Sequence, residues 1–155
     1  MRRMCVLVLL FLFVLGAVPL IGQENFTLGT VSRVILLRIN PGKTTDFWAD
    51  VRQNTKPVLE EEKKQGIITT YNFFTKTTTE NPDDWNVGYV IQYANYAALD
   101  GLTARTDPIT LKHYGSAEAR TAAANKRTEN ATLVSSFLVR NVDPRPMGAM
   151  AAPRP

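Results

Sequence analysis

The chain has 155 residues, a formal net charge of +4 and a single cysteine, Cys5. That length gives one core of ordinary size, and one thiol excludes internal disulfides, iron–sulfur clusters and Cys-ligated zinc. No block of Lys and Arg stands out, which argues against a nucleic-acid partner.

Arg2 and Arg3 precede residues 5–22, a run of roughly 18 residues without charge that has the pattern of an export signal. Gly16 and Pro19 interrupt the run, so cleavage near Gly22 and retention as an N-terminal anchor are both compatible with it. The expectation is an exported protein, periplasmic or extracellular, touching a membrane only through this segment if it is uncleaved. Two of the basic residues lie here, so the remainder is closer to neutral than the whole chain. Residues 23–29 are polar and read as a linker. Asn25 and Asn130 each begin an N-x-[ST] sequon.

Residues 31–39 (VSRVILLRI) form the first expected strand, apolar on both faces. Asn40-Pro41-Gly42 ends it in a turn. Thr44 or Thr45 then caps a helix with Asp46 in its first turn and Phe47, Trp48, Val51, Val58 and Leu59 on its apolar stripe. Pro57 lies too deep for a helix start, which predicts a kink or a restart there. Glu60 and Lys64 have i,i+4 spacing, and Gly66 is placed to end the helix. Residues 67–78 and 87–94 are rich in β-branched and aromatic residues and predict a hairpin around the loop at 80–84. Residues 95–128 read as helix with breaks at Gly101, at Asp107-Pro108 as a new start, and at Gly115-Ser116, where Ser116 caps an alanine-rich helix. Residues 133–142 are the fourth strand, and residues 143–155, with four prolines, read as a disordered tail.

The order β-α-β-β-α-β predicts an α+β, ferredoxin-like domain over residues 30–142 with a four-stranded antiparallel sheet. Helices cover one face of such a sheet. Strands apolar on both faces therefore predict a second copy over the other, and hence a homodimer. In element order, length and two-sided strands, residues 31–142 resemble the dimeric α/β-barrel superfamily, which includes antibiotic-biosynthesis-type and haem-degrading monooxygenases. The resemblance implies a ligand between sheet and helices or inside the barrel. The haem degraders place an Asn on the first strand, a Trp near the third and a His on the second helical segment; Asn40, Trp85 and His113 follow that order here. For a cofactor-free oxygenase the resemblance points to polar and aromatic groups such as Arg38, Tyr71, Tyr89 and Tyr93.

His113, the only histidine, is the one catalytic candidate, as a general base or a metal ligand, against the plainer role of a solvent-facing or helix-ending residue. Tyr71, Phe73, Tyr89 and Tyr93 alternate along the hairpin and share one face, as a pocket lining or as plain core and interface packing. Arg33 needs a counter-charge or solvent on a covered face, from a ligand carboxylate or from a glutamate at a dimer seam. Arg33, Tyr71, Tyr89 and Tyr93 are therefore the candidate ligand contacts. No H-x-H or H-E-x-x-H spacing, G-x-S-x-G, P-loop or G-x-G-x-x-G occurs, so neither a metal nor a cofactor is expected. The reading is an exported homodimeric barrel that binds a small apolar ligand and has no recognisable catalytic signature. The alternative is a cofactor-free or haem-dependent monooxygenase of the dimeric α/β-barrel type. The sequence leaves open which of the two, binder or enzyme, the protein is.

Overall fold

The structure, a computed structural model, describes residues 26–78 and 81–144. The expected export segment and all but the first two residues of the expected tail lie outside them. The compact body runs from Leu28 to Asn141, while residues 26–27 and 142–144 begin the first strand and end the last.

The elements are β1 (Phe26–Ile39), α1 (Thr44–Asp50), a π-helical turn (Val51–Thr55), α2 (Lys56–Lys64), β2 (Thr70–Thr75) and β3 (Val87–Tyr93). A 3₁₀ turn (Tyr96–Leu99), α3 (Leu102–Tyr114), α4 (Ala117–Asn130) and β4 (Ala131–Pro144) complete the chain. The strands form one sheet in the order β2-β3-β1-β4. β3 runs antiparallel to both β1 and β2, with Ile35 opposite Tyr89 and Phe73 opposite Tyr89 from the other side. The β1–β4 contacts also run in opposite senses: Asn40 N–H donates to Asn130 O, and Asn141 Nδ2 to Thr30 Oγ1 at the far end. This is the ferredoxin-like fold, a four-stranded antiparallel sheet with helices from two split β-α-β halves.

The register sorts the strand residues into two faces. Val31, Arg33, Ile35, Leu37, Tyr71, Phe73, Val87, Tyr89, Ile91 and Tyr93 share the face that meets the helices. One buried cluster joins Leu59, Ile67, Ile68, Tyr93 and Ile109; a second joins Phe47, Val51, Val87 and Ala131. Each of the Val, Leu, Ile and Phe side chains among them contributes about 1.5–3 kcal/mol relative to exposure. The opposite face carries Val34, Leu36, Phe74 and Val90, all half-buried, with Ser32 and Gly88 buried among them. It is apolar at its centre, as the two-sided strand pattern suggests.

Several boundaries differ from the sequence expectation for physical reasons. β1 starts at Phe26, so residues 26–29 are strand rather than linker; the Gly29 region pairs with the end of β4, where Arg140 Nε donates to Gly29 O at 3.4 Å. Residues 143 and 144 belong to β4, not to a tail. β2 is confined to six residues because Ile67 and Ile68 turn into the core directly after the helix cap. That cap follows the expectation for Gly66: with φ +70° it lets Gly66 N–H reach Lys63 O and Ile67 N–H reach Glu62 O, both at 3.0 Å, a Schellman closure. α1 is preceded by Lys43, not capped by Thr44 or Thr45, and Lys43 Nζ pairs with Asp46. Glu60 accepts from Tyr71 O–H at 2.5 Å instead of pairing with Lys64, which meets Glu61. α3 runs unbroken through Asp107-Pro108 from Gly101. Ala104, whose carbonyl loses its donor to the proline, is exposed, so water can take the donor's place. Ser116 caps α4 as expected, accepting from Ala119 N–H at 3.1 Å.

Candidate ligand-binding site

Pro57 has no N–H to give to Gln53 and its ring crowds that carbonyl. The chain answers with the wider π turn over Val51–Thr55, directly ahead of the proline, and restarts as α2. The turn aims three side chains to different purposes. Val51 joins the core, Thr55 faces the sheet, and Asn54 turns towards α3. There Asn54 Oδ1 lies 3.0 Å from His113 Nε2, and Asn54 Nδ2 donates to Asp50 Oδ1 at 2.7 Å. With the amide in that orientation, Asn54 Oδ1 accepts from His113 Nε2–H. His113 also stacks edge-on against Tyr114 at 4.7 Å.

Two adjoining cavities lie between the sheet and the helices. The first, about 370 Å³, has an apolar floor of Ile35, Leu37 and Phe73 and apolar walls from Phe47, Val51 and Ala124. Asp50 is its one acidic lining residue and Arg127 its one basic one. The second, about 360 Å³, is bounded by Val58, Leu59 and Ile91 and by the polar groups of Thr110, Tyr114, Arg120 and Arg127. None of its lining residues is exposed. Thr55, Tyr89 and Arg127 line both cavities and form their common wall. Volumes of this size suit a small organic molecule.

The charges in this region are partly spoken for. Arg120 pairs with Asp107 at 2.9 Å and donates to Thr110 Oγ1 at 3.2 Å. Arg127 donates to Tyr114 O–H at 2.9 Å and lies 5.8 Å from the centre of that ring. Burial pushes the Tyr89 phenol up, with Arg127 partly opposing, so Tyr89 stays a neutral donor.

The residues singled out in the sequence are distributed as follows. Tyr71, Tyr89, Tyr93 and Arg33 all share the helix-facing side of the sheet. Tyr89 lines both cavities. Tyr93 is 3 % exposed and packs in the first core cluster, and burial pushes its phenol up, with Arg33 partly opposing. Arg33 sits diagonally between Tyr89 and Tyr93 and has no ion pair among the described residues. Tyr71 lies on the outer strand; desolvation and the bond to Glu60 hold its phenol up to about 12. His113 lines a separate surface groove of about 740 Å³ between α2 and α3, with Glu61, Arg105 and Lys112. Asn40 bonds Glu129 O and Thr132 at the start of β4, while Trp85 packs edge-on against Phe74 on the face away from the helices. Asn40, Trp85 and His113 thus do not meet, and the haem-binding set of the resemblance is not assembled within the protomer.

Arg127 and Thr55 were not singled out in the sequence. Arg127 follows an alanine-rich stretch with no apolar stripe, so nothing local says which side of α4 faces the sheet. Thr55 takes its direction from the π turn, which the sequence signals only through Pro57.

No protein-family model matches the chain, and no curated protein matches it. Among solved structures it is similar to HapK from Hahella chejuensis, at 10% identity and TM-score 0.48 over 72% of this chain and 91% of that one. A dimeric ferredoxin-like protein from Jannaschia sp. CCS1 is 12% identical, with TM-score 0.42 over 73% and 98% of the two chains. A dimeric ferredoxin-like protein from an uncultured marine organism is 15% identical, with TM-score 0.45 over 75% and 95%.

Proposed function

We propose that this chain is an exported protein that binds a small, largely apolar ligand between its sheet and its helices, and that it works as a homodimer. The observation that carries the reading is the first cavity: about 370 Å³ with an apolar floor, walled by Tyr89 and Arg127. A binding site combines such an apolar body with a few convergent polar groups. The export part rests on the charge-flanked apolar run at residues 5–22. The dimer part rests on β4, where Leu133, Val134, Phe137, Leu138 and Val139 are all exposed.

Two probe pairs test the binding site by calorimetry on the purified protein: 1-naphthoate with 1-naphthalenemethanol, and decanoate with decanol. At least one member is expected to bind at one site per chain. Ala124→Leu, which adds bulk to the cavity wall, is expected to weaken that binding at least tenfold with little change in melting temperature. Absence of binding by all four probes would overturn the proposal, as would binding indifferent to the Ala124 substitution.

A further inference from the structure

The groups on the common wall have hydrogen-bonding capacity to spare, and they favour one sign of charge. Of the five N–H donors of the Arg127 guanidinium, one is committed, to Tyr114. No carboxylate pairs with Arg127 among the described residues; their five ion pairs lie elsewhere. The hydroxyls of Tyr89 and Thr55, on the same wall, make no hydrogen bond among the described residues either. Water can reach these groups, since Asn130 Nδ2 is the one buried side-chain polar atom without a partner among the described residues; what they offer a ligand is a half-buried guanidinium and two hydroxyls converging with no protein acceptor between them. On the second-cavity side the charged lining residues are Arg120 and Arg127, with no acid among the lining groups. Asp107, which neutralises Arg120, stands behind it and leaves Arg127 as the uncompensated charge. Two acidic groups lie near the wall: Asp50, which lines the first cavity and is held by Asn54, and the buried Glu62, which acts on the Tyr89 phenol without lining either cavity.

We infer that the ligand is an organic monoanion: an apolar body occupies the first cavity, and a carboxylate sits on the common wall, gripped by Arg127 and by the hydroxyls of Tyr89 and Thr55. The inference rests on the binding site proposed above and specifies the chemical class of its ligand. A carboxylate can accept from a guanidinium and two hydroxyls at once, whereas an alcohol brings one oxygen and no charge. Tyr89 suits the role because its buried phenol keeps its proton well into alkaline solution.

The same probe pairs separate this inference from the one it rests on. Each acid is expected to bind about tenfold or more tightly than its alcohol, since hydrogen bonds to charged groups are the stronger class. Arg127→Met should weaken each acid about tenfold more than its alcohol and so remove that preference, and Tyr89→Phe should reduce the preference in part. Equal affinities of acid and alcohol in the unaltered protein would overturn the monoanion and leave the apolar site standing; no binding by any probe would remove both. If Arg127→Met fails to fold, Arg127→Lys supplies the test. It keeps the charge and loses the fork, and it should retain a reduced preference for the acids; a preference untouched by both Arg127→Lys and Tyr89→Phe would also overturn the assignment.

Discussion

Gly88 lies opposite Phe74 on the sheet face away from the helices, and the ring of Phe74 rests over it. A β-carbon built on Gly88 would stand 2.6 Å from two ring atoms and 3.0 Å from Ile35 O. Alanine there must push the ring off its contact with Trp85, 5.7 Å between centroids. Gly88→Ala is expected to cost about 1–3 kcal/mol, and Phe74→Leu in the same chain to recover part of it, a non-additivity that a urea double-mutant cycle measures. The glycine's reason is a cross-strand ring, invisible without the register. Gly66 and Ser116 were legible because their signals, a positive φ and a side-chain cap, act within one turn. The Asn130 sequon shows the converse: its side-chain nitrogen is buried, with Asn130 2 % exposed, so the folded domain cannot offer it to a glycosylating enzyme. Glu62 is the other residue whose surroundings decide its behaviour. It is 8 % exposed, and desolvation raises its carboxyl above the usual range. The folded state therefore holds the proton more tightly than the unfolded one. Stability is greatest below the unfolded carboxylate pKa and falls as pH rises from there through the raised folded value. Glu62→Gln should flatten that fall: urea midpoints of the two proteins are expected to differ more at pH 7 than at pH 4, with the variant the more stable at pH 7. Parallel pH profiles would refute this account of Glu62.

At the scale of elements, the helical segment from Thr44 to Lys64 matters most to the site. Pro57 announced an interruption, and the structure resolves it as a π turn that aims Asn54 at His113 and Thr55 at the cavities. Apolar alternation placed the strands and told which of their residues share a face, so the shared side of Tyr71, Tyr89 and Tyr93 was legible. Which helix residues meet that side was not, because α4 is alanine-rich with no apolar stripe and its orientation is set by packing against α1 and α3. Asp107-Pro108 misled for a related reason: a proline start signal carries no information about whether the helix behind it is already formed. If Pro57 is what holds the π turn open, restoring an N–H there lets the segment close into regular α-helix and rotates Asn54 away. The single histidine makes this measurable. The His113 Nε2 resonance in Pro57→Ala is expected to shift in the same direction as in Asn54→Ala, and an unchanged resonance would assign the turn to packing rather than to the proline.

At the scale of the molecule, β4 terminates the sheet order, so one of its edges has no strand beside it among the described residues. Edge strands usually avoid long apolar runs, since open N–H and C=O groups flanked by apolar side chains invite pairing with other chains. β4 instead exposes Leu133 at 60 %, Val134 at 42 % and Phe137 at 44 %, with Leu138 and Val139 beside them. These side chains alternate between faces, so no single helix laid on one side can cover them all. A second copy can cover them, because a two-fold axis brings the same strand and the apolar centre around Val34, Leu36 and Val90 to itself. A stable contact needs about 800 Å² from each partner, which β4 and the neighbouring sheet face would have to supply together. The purified protein is therefore expected to run as a dimer by light scattering at micromolar concentration. Phe137→Glu should shift it to monomer or raise the dissociation constant at least a hundredfold, because a carboxylate on each side of a two-fold seam must be desolvated against its own copy. Thr121→Glu, on the exposed surface of α4, is the matched charge control and should leave the dimer intact. A monomer in the unaltered protein, or a dimer indifferent to Phe137→Glu and to Leu133→Glu, would place the self-association elsewhere or remove it.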